Sequence, residues 1–335
     1  MKDVAAHAGV SLKTVSRVVN GEAGVSVDVR DRVVHSIDEL GFRTNLAASN
    51  LRRTNSRTGM IGALVQDISN SFSAGLLRAL EDAARPYGTA VLAASLDETA
   101  DREAELVHDL VTRRVDGLVI MPASHDQSYL AAELAAGLKA VFVDRPPHGV
   151  DADSVTIDNV AGARLATSHL LAQGHRRIGA LLDLPDLATS AMRAAGFRDA
   201  YAALGLTPDP RLVVTGLRSA DPAAGAVRAM LDLEDPPTAF FAGRNLLSVG
   251  AVRALSERGL RSSVALVGFD DFPLADLLDP PLTVVRQDVG RMGERVAKIL
   301  FDRINGDTSP AKDVIFEPAL IQRGSGEIPP PPPTR

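Results

Sequence analysis

Over the first forty residues apolar side chains recur at the three- and four-residue spacing of helices; beyond residue 58 they gather into short unbroken runs that read as buried strands. Val4, Ala5 and Ala8 share one face of a short helix that Gly9 stops. Val15, Val18 and Val19 form an i, i+3, i+4 stripe on a second helix, Leu12–Val19, with Ser11 at its N-cap and Asn20-Gly21 at its end. Val29, Val33, Ile37 and Leu40 repeat at helical spacing in a third, which Ser26 caps and Gly41 ends. Two helices joined by a tight turn, with a third supporting them, make a helix-turn-helix unit. With the valines inward, Leu12, Lys13, Ser16 and Arg17 face outward.

The remainder alternates strand and helix. Met60–Val65 is followed by strand runs at Thr89–Leu96, Val115–Met121 and Ala140–Val143, with helical stretches between them. A second series opens at Arg177–Leu182, where Ile178-Gly179-Ala180-Leu181 repeats Ile61-Gly62-Ala63-Leu64 at a spacing of 117 residues. It continues through Leu212–Val214, Thr238–Phe241 and Val264–Phe269. Two successive sets of β-α units predict an α/β body of two parallel-sheet lobes behind an all-α head. Ligands in such lobes sit beyond the C-terminal strand ends, so the cleft between them is the expected site.

Charge separates the same two parts. Residues 1–57 carry nine Lys/Arg against six Asp/Glu, a net of +3, and the rest carries −9 of the overall −6. A basic head on an acidic body points to a polyanion partner for the head. The chain has no cysteine, which excludes disulfides, thiol catalysis and cysteine-bound zinc, and its seven histidines show no metal-ligand spacing. No phosphate loop, dinucleotide fingerprint or nucleophile elbow is present, so no enzyme, cofactor or metal is expected. The absence of a signal-peptide pattern and of a long apolar run predicts a cytoplasmic protein. A solute-binding protein of a transporter would suit the body but not the head.

The head motif is more specific than its periodicity. Lys2-Asp3-Val4-Ala5-Ala6-His7-Ala8-Gly9-Val10-Ser11 followed by Thr14-Val15-Ser16-Arg17-Val18-Val19-Asn20-Gly21 closely resembles the lactose-repressor/galactose-repressor (LacI/GalR) family. The likeness runs through Leu40-Gly41-Phe42, Asn45, Ala48 and Leu51 to Pro318-Ala319-Leu320-Ile321 and Arg323-Gly324-Ser325. It implies a ligand-responsive repressor that binds a pseudo-palindromic operator as a homodimer, with a sugar-like or sugar-acid effector in a periplasmic-binding-protein-like body. It also implies a division into a head at 1–43, a hinge at 44–57, a first lobe at 58–157 plus 286–315 and a second at 158–285 plus 316–326. The chain would cross between lobes near Thr156–Asn159, Val284–Asp288 and Phe316–Leu320. DNA contacts fall on Ser11, Leu12, Lys13, Thr14, Ser16, Arg17 and Asn20 in the major groove. In the hinge they fall on Asn45, Ala48, Leu51 and Arg52, with Leu51 wedged into the minor groove. Effector contacts fall on Asn70, Phe72, Ser73, Asp144, Arg193, Arg244, Asn245, Asp270 and Gln287, while Asp158-Asn159 reads as a helix cap.

Departures from the family pattern carry information. The chain starts inside its first helix without the usual capping Ser or Thr, a loss of about 1 kcal/mol that points to a start a few residues upstream. Thr44 stands where the family has proline. Arg244-Asn245 replaces the family's Asn-Asp beside the effector. With Arg193 this places two guanidiniums in the cleft, balanced either by an anionic effector or internally by Asp144 and Asp270 around a neutral sugar. No leucine heptads follow Ser325, which leaves a dimer rather than a tetramer, and 327–335 reads as a disordered proline-rich tail. The hinge helix is barely two turns, too short to persist alone. Leu51→Ala should therefore weaken operator binding and leave effector binding unchanged. Amide exchange across 45–52 should slow only when operator is added, and protection without DNA would contradict DNA-driven folding of the hinge.

Overall fold

The computed structural model describes residues 1–19, 22–42 and 57–332. They form two units, a head to Thr58 and a body from Gly59. In the head, α1 (Lys2–His7), α2 (Leu12–Val19) and α3 (Val27–Glu39) close around Val4, Val15 and Val33, all fully buried. Ser11 caps α2 as its position predicts, its Oγ accepting from Thr14 N at 3.1 Å. Ser26 holds the N-cap position of α3 but makes no side-chain capping bond. Leu40, predicted on the apolar stripe, is exposed because α3 ends at Glu39; Ser36 is buried instead, bonded to His7 Nδ1 (3.0 Å) and Arg32 O (2.7 Å).

The body holds two six-stranded sheets of matching order. The first contains β1 (Met60–Val65), β2 (Ala90–Ser95), β3 (Gly117–Ile120), β4 (Ala140–Val143), β5 (Asp153–Ile157) and β11 (Asp313–Phe316), in the order β11-β5-β4-β3-β1-β2. The second contains β6 (Ile178–Leu181), β7 (Val213–Val214), β8 (Ala239–Ala242), β9 (Ala265–Phe269), β10 (Thr283–Arg286) and β12 (Ala319–Ile321), in the order β12-β10-β9-β8-β6-β7. Every pairing is parallel except β10 with β12. The chain passes between sheets after β5, after β10 and between β11 and β12, so the last two strands complete one lobe each.

Helices cover both faces of each sheet: α4 (Ser71–Ala84), α5 (Ala100–Thr112), α6 (Ala131–Ala135) and α11 (Val289–Ile304) on the first, α7 (Asn159–Ala172), α8 (Ala188–Ala202), α9 (Ala220–Leu231) and α10 (Asn245–Glu257) on the second. Central strands buried on both faces read as continuous apolar runs for that reason. In the second lobe the helices pack as two close pairs, α7 with α8 and α9 with α10. Each pair meets at a glycine. A Cβ on Gly196 would strike the Val160 carbonyl and lie 3.0 Å from Ala163 Cβ; one on Gly250 would strike the Ala220 carbonyl and lie 2.7 Å from Ala223 Cβ.

The expected disordered tail is fastened over its first residues. Glu327 accepts from Thr283 Oγ1 at 2.8 Å and lies 2.7 Å from His169 Nε2, and Ile328 O lies 2.8 Å from His175 Nε2. Ile328 packs on the core of the second lobe and Pro330 lies against Gly174, giving these residues the buried area that the proline run alone does not supply. No helix of the described residues is long and apolar enough to cross a membrane.

Gly196→Ala raises helix propensity by about 1 kcal/mol, but it forces α8 off α7 against backbone that cannot yield as a side chain would. A net loss of about 1–3 kcal/mol is expected in urea unfolding; an unchanged midpoint would show that the helix pair relaxes freely.

Candidate functional site

Strand ends of both lobes converge on one cleft. Asp144 directly follows β4 and Asp270 directly follows β9; each adopts the left-handed conformation (φ 69° and 67°), and both line the cavity described below. Asp144 and Asp270 are thus equivalent positions of the two lobes. Asn70 caps α4 through Phe72 N (3.0 Å), while Arg244 and Asn245 open α10. Arg193 projects from the second turn of α8, and Gln287 lies on the crossover after β10.

Of the residues predicted to meet an effector, Asn70, Phe72, Asp144, Arg193, Arg244, Asn245, Asp270 and Gln287 line one cavity of about 40 Å³. Ser73 does not. It lies buried in α4 at 1% exposure, outside that lining. The same cavity brings in Gln66, Arg145 and Asp183, which sequence reading missed. Asp183 had a signal: it sits 117 residues after Gln66, the spacing of the internal repeat, so the two occupy matching places after β1 and β6.

Charge in the cleft is internally matched. Arg244 pairs with Asp183. Arg193 lies 3.5 Å from Asp270, donates to Asn159 Oδ1 (2.8 Å) and Gly243 O (2.7 Å), and stacks over Phe269 at 3.7 Å. Arg145 holds Glu98 through two bonds of 2.7 Å and lies 3.6 Å from Asp144. All three arginines are at most 8% exposed, where an unpaired charge would cost several kcal/mol. Burial pushes the Asp144 carboxyl above its ordinary range, against the pull of Arg145 and Arg193; Asp270 and Glu98 push it the same way as burial. Burial works against the Arg145 charge, but the Glu98 carboxylate outweighs it and raises that pKa.

Among the described residues, two buried atoms of the cleft have no hydrogen-bond partner, the acceptor Gln287 Oε1 and the donor Arg145 Nε. Gln287 is oriented by its other end, Nε2 donating to Asp270 Oδ1 at 2.6 Å. Across the mouth, Asn70 and Asn245 exchange amide bonds of 3.2 Å and Asn245 donates to Ser71 Oγ at 3.0 Å, so one lobe is tied to the other. The cavity beneath holds little more than ordered water; a larger guest requires the lobes to part.

In the head, Leu12 and Lys13 are exposed as predicted, whereas Ser16 and Arg17 are half-buried. Arg17 folds back: Nη2 donates to Ala23 O at 2.6 Å and Nε lies 3.6 Å from Glu22. Ser11 and Thr14 bond each other at 2.8 Å on the exposed start of α2. Asn20, Asn45, Ala48, Leu51 and Arg52 lie outside the described residues.

The three small helices among the described residues of the head and a two-lobed body with a polar cleft define a helix-turn-helix regulator carrying a periplasmic-binding-protein-like domain. Residues 1–45 match the model for bacterial regulatory proteins of the lacI family, and residues 167–326 that for the periplasmic binding protein-like domain. The chain is 34% identical over 331 residues to the transcriptional regulator CelR of Thermobifida fusca, covering 96% of this chain and 97% of that one. It superposes on the lac repressor dimer bound to operator and the anti-inducer ONPF with a TM-score of 0.86 at 27% identity, over 97% and 98% of the two chains. The complex of CelR with cellobiose gives 0.71 at 33% identity, over 97% and 98%. The chain belongs to the LacI family of transcription regulators.

Asp144 gives a pH test. A carboxyl raised by burial stabilises the fold fully below its unfolded value of about 3.9 and loses that contribution as pH rises through the folded value. Asp144→Asn keeps the neutral form at every pH. The variant should therefore gain stability relative to the parent as pH rises from about 4 to 7 in urea titrations; a relative loss over that range would place the carboxylate among net attractive partners.

Proposed function

We propose that this regulator is a cytoplasmic repressor that binds a pseudo-palindromic operator as a homodimer, and that an uncharged, hydroxyl-rich effector between the lobes sets its DNA affinity. The lac repressor's operator-bound dimer and the CelR–cellobiose complex support this reading. So does the internal charge balance of the cleft, the single observation that carries the effector class. The pairing of Arg244 with Asp183 removes the reason to require an anionic effector. A sugar hydroxyl donates and accepts at once, which is what Gln287 Oε1 and Arg145 Nε leave open. The reading gives the cleft a binding role and no catalytic one.

Asn70, Phe72, Asp144, Arg193, Arg244, Asn245, Asp270 and Gln287, joined by Arg145 and Asp183, would contact or frame the effector. Entry of a sugar ring breaks the Asn70–Asn245 tie and changes the lobe angle. Calorimetry against paired panels of neutral sugars and their acids or phosphates tests the class: neutral members should bind and shift operator affinity. Binding confined to the acidic members would overturn it.

Base reading should fall first on Lys13, which is exposed, rather than on the tethered Arg17. Lys13→Ala should cost about 1–3 kcal/mol on operator and leave random DNA nearly unaffected at fixed salt. Equal losses on both would make Lys13 a phosphate contact.

A further inference from the structure

The central cavity is not the roomiest space between the lobes. Beside the first crossover lies a pocket of about 350 Å³, within the range of small-molecule sites. It touches the central cavity through Asp144 and Thr189, which line both. Pro146, Thr156 and Ile315 face it from the first lobe, Ala188 and Met192 from the second. Ile315 is 66% and Met192 36% exposed, so two large apolar side chains stand open to water on opposite walls.

The polar rim of this pocket is largely spent on the protein itself. Ser154 Oγ donates to Asp313 Oδ1 at 2.8 Å, Asp158 Oδ1 accepts from Ala161 N at 2.8 Å, and Asn159 bonds Ile157 O (3.2 Å) and Arg193. Thr156 and Thr189 are largely buried residues, and their hydroxyls make no hydrogen bond among the described residues. Three carboxylates, Asp144, Asp158 and Asp313, line the pocket, and no Lys or Arg does.

From this we propose a second ligand site, for an apolar, ring-sized group that carries a hydrogen-bond donor and no negative charge. The apolar walls gain by losing water, the two threonines and the carboxylates accept from the donor, and an anion meets only like charge. The group is either a separate small molecule or the tail of the effector, and the second alternative rests on the reading of the central cleft given above. Because both lobes supply walls, occupancy favours the lobe angle at which the pocket exists.

The methionines supply the test. Met192 lines this pocket, Met121 lines the central cavity, and Met60, Met230 and Met292 line neither. In the full chain carrying ¹³C-methyl methionine, benzyl alcohol should shift the Met192 resonance saturably while Met60, Met230 and Met292 stay still. Benzoate, of similar size, should bind weaker by at least about tenfold. Ile315→Asp, on an exposed position, should abolish the Met192 response without disturbing the other methionines. (Hydroxymethyl)phenyl glycosides that move Met192 and Met121 together, where their parent sugars move only Met121, identify the group as an effector tail; a response to benzyl alcohol alone identifies a separate ligand. The site is overturned if neither probe moves Met192, if all methionines move in parallel, if benzoate matches the alcohol, or if Ile315→Asp changes nothing. Failure of every sugar to move Met121 would count against the effector reading and leave the benzyl alcohol result standing.

Discussion

A buried guanidinium must find a carboxylate, and in this body three of them do so within one cleft. Arg145, Arg193 and Arg244 would each cost several kcal/mol if left alone where they stand. Their partners Glu98, Asp270 and Asp183 come from the ends of different strands. The strand ends are therefore held in register by charge as well as by sheet hydrogen bonds. Asp144 and Asp270, both in left-handed backbone, line the same cavity. The cleft is polar because its walls answer one another, and what remains for a guest is a donor and an acceptor rather than a charge.

That balance is also why the cleft was only partly legible in the sequence. Positions such as Arg193 and Asp270 follow from strand ends and family resemblance, and the structure brings them within 3.5 Å. Arg145 lies in a loop where neither apolar period nor motif marks it, Asp183 is marked only by the internal repeat, and pairing across 61 residues, as between Arg244 and Asp183, leaves no local trace. The substitution at Arg244 reads from sequence as an excess of positive charge because its counter-ion is far along the chain. Ser73 fails for the opposite reason: it is next to true lining residues, but helical geometry turns it toward the core.

The architecture was far more legible. Apolar runs at β1, β3, β4, β6, β8 and β9 are buried on both faces, so their composition alone marks them. The short β7 and the edge strands β11 and β12 are only partly buried and carry weaker patterns. In the head, the tether on Arg17 comes from the Glu22–Gly24 loop. No helical wheel of α2 contains that loop, which is why the side chain reads as outward-facing until the turn is placed.

The order of the strands sets when the body can be finished as it leaves the ribosome. β11 closes the edge of the first sheet and β12 that of the second, yet both come after every other strand and helix of the body. Leu266 N donates to Ser325 O at 2.9 Å and Ser325 Oγ donates back to Leu266 O at 2.6 Å, so the second lobe draws on residues made after β12 as well. Neither lobe can complete its sheet until the segment from residue 313 onward has been made, and until then each waits with an unpaired edge. Helices α1, α2 and α3 of the head pack on one another through residues that all lie within the first 42 of the chain. The nascent chain thus passes through a stage in which the head helices have all their mutual contacts while both sheets of the body still lack a strand.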